Sequence, residues 1–315
     1  MSVIGCRNRA KPADLPPQAY WIPRHLVTSA WTGHGPFAAV LMALVRPRVL
    51  VELGTHNGFS FFAFAEAARR LKLDTKLFAV DTWQGDEQAG FYGEEVFESV
   101  RTVAAEEYAE SSVLLRKYFS EAVSEFADGS IDVLHIDGRH GYSDVKEDFE
   151  AYRVKLSSKA VVVFHDTNEF QEGFGVNRFW DELKFTGPSF AFLHSHGLGV
   201  LAYGAEVSED LLGFLDRANM NPEETRSLFS TLGSEVANYR VGSEAAVRLP
   251  QAETSLALLD EELKKVHLNL ETTVRAHSVV TAELEELNAE IASLRASNSW
   301  RLTAPFRRIA AFRKR

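Results

Sequence analysis

The sequence predicts an α/β fold in which helices cover both faces of a doubly wound, mostly parallel sheet. Strand-like and helix-like segments alternate from about residue 30 to 205, which is the order found in parallel sheets with crossover helices. Several strand-like segments are continuous apolar runs, as expected for strands buried on both faces. Glycines and a proline within residues 186–204 predict a closing antiparallel hairpin instead.

The first strand–helix–strand unit shows the pattern most clearly. RVLVEL (48–53) predicts a strand, FSFFAFAEAARRLK (59–72) predicts a helix after a turn, and KLFAVD (76–81) predicts the second strand. The later strands are expected at SVLLRK (112–117), SIDVLHID (130–137), AVVVFHD (160–166) and LGVLAYG (198–204), and the later helices at SEAVSEFA (120–127) and YSDVKEDFEAYRVKL (142–156).

Composition and charge restrict the classes of function. The chain has 315 residues and one cysteine, Cys6, which excludes a disulfide framework and a cysteine metal site and makes a reducing, cytoplasmic location the expectation. Neither a signal peptide nor a membrane span is expected. The net charge is −10, and because residues 298–315 carry six cations and no acid, the preceding 297 residues carry −16. An acidic body argues against nucleic acid as a partner.

A heptad pattern follows Pro250. Seam positions alternate three and four residues apart for more than five heptads, with polar interruptions at Thr273 and His277. The seam comprises Leu256, Leu259, Leu263, Val266, Leu270, Thr273, His277, Val280, Leu284, Leu287, Ile291 and Leu294. A single helix packed on the preceding domain is the alternative, but the regular spacing favours a coiled coil over 251–296 that forms a homo-oligomer.

The remaining regions are assigned from their composition and their pattern of apolar and charged residues. Residues 1–29 form an N-terminal extension, and 206–250 form a mostly helical connector ending near Pro250. Residues 297–315 predict a basic amphipathic tail whose apolar face suits an anionic membrane surface, with a solvated terminus as the alternative. The apolar face would comprise Leu302, Phe306, Ile309 and Phe312. The expected location is therefore cytoplasmic, with peripheral contact on the inner face of the cell membrane.

The turn in VELGTHNGFS (51–60) indicates the ligand. A dinucleotide site requires G-x-G-x-x-G, but His56 occupies the middle glycine position and the glycines are Gly54 and Gly58. No Gly-Lys-Ser/Thr follows, which excludes a Walker A loop. Glu52, just before the turn, would repel an anionic ligand and attract a cationic one. S-adenosylmethionine (SAM), with a sulfonium, an ammonium and no phosphate, fits these features.

Asp81 ends the second predicted strand. A carboxylate there can accept hydrogen bonds from both ribose hydroxyls, a role common to NAD and SAM sites. Together with Glu52 and the missing glycine, it favours SAM. The alternative is that both acids only cap strand ends.

Six motifs together resemble class I SAM-dependent methyltransferases and, more narrowly, the methyltransferase type 24 family. They are VELGTHNGFS, AVDTWQGD, HIDGRHGYSDVKEDFEAY, VVFHD, GVNRFW and HGLGVL, within residues 30–204. The resemblance implies a Rossmann-like, seven-stranded sheet with a reversed last strand in a methyltransferase domain at 30–205. Relatives usually carry a glycine pair at LSSKA (156–160), which is expected to be a turn here.

The resemblance also implies cofactor contacts. Thr55 and Ser60 are expected to bind SAM with the residues named above, and Trp83 and Ser120 are expected near its adenine. For the last two, core packing is the alternative.

Acidic and imidazole side chains follow the fourth and fifth predicted strands. Asp137, His140, His165 and Asp166 should meet at the carboxyl edge of the sheet, where they offer ligands suited to Mg²⁺ or Mn²⁺. The resemblance supports a metal held by Asp137 and Asp166, with His165 or a nearby side chain completing the set. Thr167 stands where catechol-type relatives carry an amide, which leaves the third ligand open. A metal-free site that orients substrate is the alternative.

The predicted catalytic residues are Asp137 and His140. A sugar hydroxyl is a poor nucleophile until it loses its proton, and a divalent cation would lower the hydroxyl pKa. His140, three residues after Asp137, is the predicted general base, with a structural role equally open. His34, His194 and His196 are weaker candidates for lining the acceptor pocket.

The sequence therefore predicts a metal-assisted, SAM-dependent O-methyltransferase of a sugar or glycan hydroxyl. SNSWRLTAPFR (297–307) resembles the C-terminal ends of bacterial surface-polysaccharide enzymes, which implies a role in cell-surface polysaccharide biosynthesis. Three alternatives remain: an enzyme for a small-molecule or antibiotic-type acceptor, an inactive methyltransferase-fold scaffold that recruits enzymes through its coiled coil, and a related hydroxylase component.

Overall fold

A seven-stranded sheet organises the larger of two units in the computed structural model, which describes residues 15–86 and 90–307. The boundary between the units lies between residues 243 and 244. The strands are β1 (Val49–Leu53), β2 (Lys76–Asp81), β3 (Gly85–Asp86), β4 (Gly90–Phe91), β5 (Ser112–Arg116), β6 (Ile131–Ile136), β7 (Leu156–His165), β8 (Ser189–Phe192) and β9 (Leu198–Ala202).

Helices occupy most of the connections between these strands. They are α1 (Gly35–Val45), α2 (Phe59–Arg70), α3 (Glu94–Glu107), α4 (Phe119–Ala122), α5 (Tyr142–Arg153), α6 (Val176–Leu183), α7 (Glu209–Met220), α8 (Pro222–Ala296) and α9 (Asn298–Leu302). Three 3₁₀ turns add Pro17–Tyr20, Ala30–His34 and Val123–Glu125.

The strand order is β5-β2-β1-β6-β7-β9-β8, with β3 and β4 forming a separate pair. The contacts among β5, β2, β1, β6 and β7 are parallel, whereas β9 runs antiparallel to both β7 and β8. This topology confirms the doubly wound sheet, the closing hairpin and the reversed last strand. Strand order changes direction between β1 and β6, which is where open α/β sheets bind ligands.

Two apolar layers enclose the sheet because successive strand residues point to opposite faces. Leu50 and Val133 belong to the layer that contains α1 and α2, whereas Val51 and Leu134 belong to the layer that contains α5 and α6. In α2, four phenylalanines are almost fully buried, and each contributes about 1.5–3 kcal/mol to folding. They are Phe59, Phe61, Phe62 and Phe64.

One predicted turn is wrong. LSSKA (156–160) begins β7, and α5 ends at Arg153. Ser157 Oγ donates a hydrogen bond to Asp132 Oδ1 (2.7 Å), which holds the segment beside β6 where the register shifts. This tertiary contact replaces the glycine-based turn that the resemblance implied.

The predicted end near Pro250 is also not observed, because α8 continues from Pro222 to Ala296. A proline inside a helix removes one hydrogen bond to the carbonyl four residues earlier. Good helix formers surround it in AAVRLPQAE (245–253) and favour continuation.

The smaller unit contains the later part of α8 and α9. Its seam side chains are exposed in the single chain, from 44% for Ile291 to 68% for Leu263. Association through them stays a prediction. Arg307 lies over the Trp300 ring at 3.8 Å, while the remaining predicted tail positions, 308–315, lie outside the described residues. Within the described part of the chain, no helix combines the length and apolarity needed to cross a bilayer.

Candidate active site at the carboxyl edge of the sheet

The Asp81 carboxylate at the end of β2 holds the turn after β1. Its Oδ2 accepts hydrogen bonds from the backbone amides of Thr55 (2.8 Å) and His56 (2.9 Å), and its Oδ1 accepts one from Trp83 (2.7 Å). A carboxylate has about four acceptor positions, so about one remains for a ligand. Asp81 can therefore receive a ribose hydroxyl while it orders the turn, but two such bonds would exceed its remaining capacity.

The turn packs directly on the end of β6. Gly54 has φ +89°, and a β-carbon there would lie 2.0 Å from the Asp137 carbonyl oxygen. Gly58 has φ +80°, and its β-carbon would meet the Phe62 ring at 2.7 Å. Both glycines therefore make room for the protein chain itself, and the absence of a side chain at Gly54 brings the turn against Asp137.

Glu52 lies beneath the turn and is fully buried. Its Oε1 accepts a hydrogen bond from His135 Nδ1 (2.9 Å), and its Oε2 accepts one from Thr55 Oγ1 (2.9 Å). Trp31 Nε1 in turn donates to His135 Nε2 (3.1 Å). The charge of Glu52 can therefore act on a ligand only through the turn. Sequence reasoning missed His135 and Trp31, although a histidine inside an apolar strand was a visible signal.

The other predicted SAM contacts lie around this turn. Thr55 and Ser60 are buried, and Trp83 is buried with its indole N–H donating to the His56 carbonyl (3.1 Å). Trp83 thus supports the turn, in agreement with the core-packing alternative. Ser120 is exposed in α4, so its contact with adenine stays a prediction.

Three ligating side chains converge beyond β6 and β7. One ligand atom from each of Asp137, His140 and Asp166 lies within 4.8 Å of the others. His140 Nε2 is 3.0 Å from Asp166 Oδ2, and the His140 ring stacks on Phe174. The donor set of two carboxylates and one imidazole fits a divalent cation such as Mg²⁺ or Mn²⁺. The Thr167 hydroxyl, next to Asp166 in the sequence, is buried and has no hydrogen-bond partner among the described residues.

His165 is placed differently from the other predicted metal ligands. Its Nδ1 lies 3.1 Å from Asp137 Oδ1 and 3.3 Å from Asp166 Oδ2, and its Nε2 is 3.0 Å from the Ser195 carbonyl oxygen. Both nitrogens thus face acceptors, which suits an imidazolium that donates twice. An imidazolium has no lone pair for a metal, which makes His140 the better candidate for the third position that the sequence left open between His165 and a nearby side chain.

The two carboxyls and two imidazoles of the cluster shift the pKa values of one another. Burial lowers the pKa of His165, but Asp137 and Asp166 outweigh burial and raise that pKa to about 10. Burial also lowers the pKa of His140, and the hydrogen bond to Asp166 reverses this, so the pKa is raised. Burial raises the pKa of both carboxyls, but His165 leaves that of Asp137 lowered, and His140 with His165 leaves that of Asp166 far below its ordinary value. His165 is therefore an imidazolium ion that faces two carboxylates, and Asp166 also stabilises the proton on His140.

The three weaker histidine candidates lie around the turn between β8 and β9. His34 Nε2 is 3.2 Å from the Ser195 carbonyl oxygen, and His194 Nε2 is 3.1 Å from the Gly33 carbonyl oxygen. His196 Nδ1 is 2.8 Å from Glu169 Oε2. The rings of His34 and His165 are 5.7 Å apart. This turn is therefore joined to the acid–imidazole cluster through His165.

Backbone strain is concentrated at this edge of the sheet. Seven described non-glycine residues have positive φ, and five of them lie in the turns that surround the site. A left-handed conformation costs an L-residue roughly 1–2 kcal/mol and often accompanies function. The five are His56, Trp83, Asp166, Ser195 and His196.

The family comparison defines the class of this region. Residues 51–167 match the methyltransferase type 24 family model, described as "Methyltransferase domain". The match begins in β1, ends directly after Asp166 and includes the turn, Asp81 and the whole Asp137–His140–Asp166 cluster. Residues 51–167 are therefore similar to a methyltransferase domain, as the motif resemblance implied.

Similar proteins include an uncharacterized protein of Sinorhizobium fredii, y4gI. It is 52% identical over 183 residues, which are 58% of this chain and 20% of that protein. The chain thus spans about one fifth of the length of the curated relative it matches.

Solved structures resemble the chain at lower identity. The O-methyltransferase TomG of Streptomyces achromogenes, in complex with SAM and involved in tomaymycin synthesis, is 20% identical over 57% of this chain and 83% of its own (TM-score 0.42). Cofactor-bound Rv0187 from MTB is 17% identical over 59% and 85% (TM-score 0.42). A methyltransferase of Geobacter sulfurreducens is 14% identical over 57% and 82% (TM-score 0.42). Similarity at this level carries no argument about the acceptor.

Proposed function

We propose that the chain is a SAM-dependent O-methyltransferase that acts on a sugar or glycan hydroxyl. The observation that carries this proposal is the direct packing of the Gly54 turn on the Asp137 carbonyl. It puts the predicted cofactor turn beside the Asp137–His140–Asp166 cluster, in a domain whose family model is that of a methyltransferase. A methyl donor and a hydroxyl-activating group would meet at this junction.

The residues at the turn fit SAM better than a dinucleotide. His56 fills the position of the glycine that a pyrophosphate needs. Asp81 retains about one acceptor position for a ribose hydroxyl, and its own negative charge favours a cationic ligand. SAM supplies a methyl group on a sulfonium, which an oxygen nucleophile can attack in line.

Asp137, His140 and Asp166 would hold a divalent cation if the enzyme uses one. A bound cation lowers the pKa of a chelated hydroxyl. His140 must be neutral to act as a ligand, so the cation has to compete with the proton that Asp166 stabilises on that ring. His165 keeps Asp137 ionised in either case, because its imidazolium ring faces that carboxylate.

In the metal-free alternative, neutral His140 takes the proton of the acceptor hydroxyl. Asp166 accepts a hydrogen bond from the protonated His140 ring and stabilises its charge, while the stacked Phe174 ring fixes its plane. Asp137 then orients the acceptor hydroxyl. Both versions require the same residue to lose its proton, and a chelator distinguishes them.

The glycan acceptor and the location are proposals as well. The C-terminal resemblance to surface-polysaccharide enzymes supports a glycan acceptor, with an antibiotic-type small molecule as the rival. Exposed Trp300, Leu302 and Phe306 beside Arg307 support contact with the inner face of a membrane. The exposed heptad seam supports a homo-oligomer.

The first test is a calorimetric titration of the protein with SAM, and NAD is the control ligand. Each titration is carried out once in the presence of Mg²⁺ and once in the presence of EDTA. We expect SAM to bind and NAD not to bind. We expect Asp81→Ala to weaken SAM at least tenfold, whereas Asp74→Ala, an exposed aspartate before the same strand, leaves affinity unchanged. Absence of SAM binding in every condition would contradict the proposal.

A second assay measures methyl transfer to nucleotide sugars and lipid-linked glycans. Transfer that EDTA abolishes and Mg²⁺ or Mn²⁺ restores would support the metal-assisted version. SAM binding without transfer to any hydroxylated acceptor would favour the inactive scaffold.

A further inference from the structure

A cavity of about 260 Å³ lies in the larger unit, outside the matched methyltransferase domain. Its walls come from the 3₁₀ turn Ala30–His34, the turn between β8 and β9, and the first part of α8. All lining residues lie before residue 51 or after residue 167. The cavity is therefore built by parts of the chain that the family model does not cover.

The lining of the cavity is rich in hydroxyl groups. Five serine and threonine side chains contribute hydroxyl oxygens that can accept hydrogen bonds, while the Thr32 and Ser234 hydroxyls already donate to the carbonyls of Ser29 and Ser230. The five side chains are those of Ser29, Thr32, Ser195, Ser230 and Ser234. Glycine and alanine make up most of the remainder, and neither a carboxylate nor a Phe, Tyr or Trp ring contributes to the described lining. Such a surface suits a small polyhydroxylated ligand better than a large apolar one.

His194 adds an acceptor whose direction is fixed. Its Nε2 donates to the Gly33 carbonyl (3.1 Å), which leaves Nδ1 as the acceptor of a neutral ring. Burial lowers the pKa of His194 and so favours this neutral form. Nδ1 is buried and has no hydrogen-bond partner within residues 15–86 and 90–307. A buried acceptor without a partner is unfavourable, and a ligand hydroxyl at Nδ1 would remove this penalty.

Arg240 gives the cavity a positive charge. Its Nη1 donates to Thr28 Oγ1 (3.2 Å), which holds the guanidinium at the wall. A guanidinium stays charged at every relevant pH and recognises carboxylate and phosphate groups. An anionic substituent on a hydroxyl-rich ligand would therefore lie toward Arg240.

We propose that this cavity binds an acidic sugar unit of the acceptor, one that carries a carboxylate or a phosphate. The Ser195 carbonyl joins the cavity to the catalytic cluster because it faces Nε2 of His165, and His165 contacts Asp137. Two hydrogen bonds and one imidazole ring thus connect the cavity wall to the catalytic edge. The assignment of the sugar to the acceptor rests on the proposed function, whereas binding in the cavity is testable independently.

The experiment titrates the full chain with glucuronate, glucose 1-phosphate and glucose, and separately with SAM. We expect at least one anionic sugar to bind at least tenfold more tightly than glucose, and the tighter anion identifies the carboxylate or the phosphate. Equal affinities for all three sugars, or no anionic sugar binding by protein that binds SAM, would overturn the proposal. Anionic sugar binding without SAM binding would retain the cavity site and remove the methyltransferase proposal.

Two variants with matched controls locate the binding. Ser234→Leu would fill the cavity, and Ser227→Leu places the same side chain on an exposed position seven residues earlier in α8. Arg240→Gln removes the charge, and Arg248→Gln is its exposed control on the same helix. We expect each cavity variant to weaken the anionic sugar at least tenfold, with SAM affinity and both controls unchanged. Unchanged sugar affinity in Ser234→Leu would place the sugar elsewhere.

Discussion

His140 Nε2 lies 3.0 Å from Asp166 Oδ2, so the predicted base of the reaction is also the partner of a predicted metal ligand. Burial disfavours the protonated ring, yet Asp166 reverses this effect and leaves the pKa of His140 raised above 6.5. Asp166 therefore stabilises the proton on His140, although the ring must be neutral to accept a proton or to hold a cation. Several consequences of this and related contacts are measurable.

The rate of methyl transfer should rise with pH. Its midpoint should lie above 6.5, because His140 must lose its proton before it can act. His140→Gln should lower the rate about 10²–10⁴-fold, the usual contribution of a general base, and should remove the rising limb. Initial rates across pH 5.5–9.5 at saturating SAM test this. A rising limb that persists unchanged in His140→Gln would assign the titration to another group.

Replacing His135 should destabilise the fold strongly. His135→Leu removes the donor to Glu52 and leaves a buried carboxylate short of one partner, which costs about 3–5 kcal/mol. The double variant Glu52→Leu/His135→Leu removes the buried charge and should recover part of that loss. Urea unfolding measures both, with His267→Leu on the exposed surface of α8 as the control. Equal stability of His135→Leu and wild type would show that Glu52 finds another partner.

Stability should fall as pH rises through about 7. Burial raises the pKa of Asp148 to about 7, Arg139 opposes this, and Asp144 with Glu147 adds to it. Because the folded pKa exceeds the unfolded value of about 3.9, the folded state holds the proton more tightly. This stabilisation is full below about pH 4, declines as the pH rises towards 7 and is gone above about pH 7. Asp148→Asn cannot ionise, so it should be about 1–2 kcal/mol more stable than wild type at pH 8.5.

Thermal unfolding of Asp148→Asn at pH 5.5, 7 and 8.5 checks this dependence. Glu150→Gln, an exposed carboxylate on the same helix, is the control and should retain the slope of wild type. A wild-type slope in Asp148→Asn would remove Asp148 as its source.

Thr273 and His277, the two polar positions of the heptad seam, should weaken self-association of the chain. Polar residues at seam positions fix register and reduce stability, so Thr273→Leu and His277→Leu should each tighten self-association. Leu270→Asp should weaken it. Analytical ultracentrifugation over a hundredfold concentration range measures this, with Ser278→Leu, which is off the seam, as the control. A monomer at every concentration in the Thr273→Leu/His277→Leu double variant would contradict the coiled coil.

The positions of the strands and the convergence of the acidic residues could be predicted, because both depend on local sequence patterns. Continuous apolar runs indicated buried parallel strands, and parallel strands end at one edge, which brings Asp81, Asp137 and Asp166 to the same side of the sheet. The features that sequence reasoning missed depend on distant partners. The start of β7 depends on the contact between Ser157 and Asp132, and the environment of Glu52 depends on His135, 83 residues away.

The protonation states of the site residues could not be predicted from the sequence either. His165 is the last residue of β7, a position typical of a metal ligand. Its charge, however, depends on two carboxylates and one carbonyl that lie about 3 Å from its ring nitrogens. Only the folded chain brings these groups to His165. The continuation of α8 past Pro250 shows the opposite case. There, Pro250 predicted the end of a helix, but the helix formers on both sides favour the helix more than the proline disfavours it.

The left-handed residues around the site have a consequence for laboratory evolution. His56, Trp83, Asp166, Ser195 and His196 hold conformations that glycine adopts without a steric penalty. A library screened for heat resistance alone should therefore accumulate glycine or asparagine at those positions where packing allows it, and these are also the turns that shape the catalytic edge. Such a screen would raise heat resistance while the turnover rate falls, so activity has to be selected in the same round.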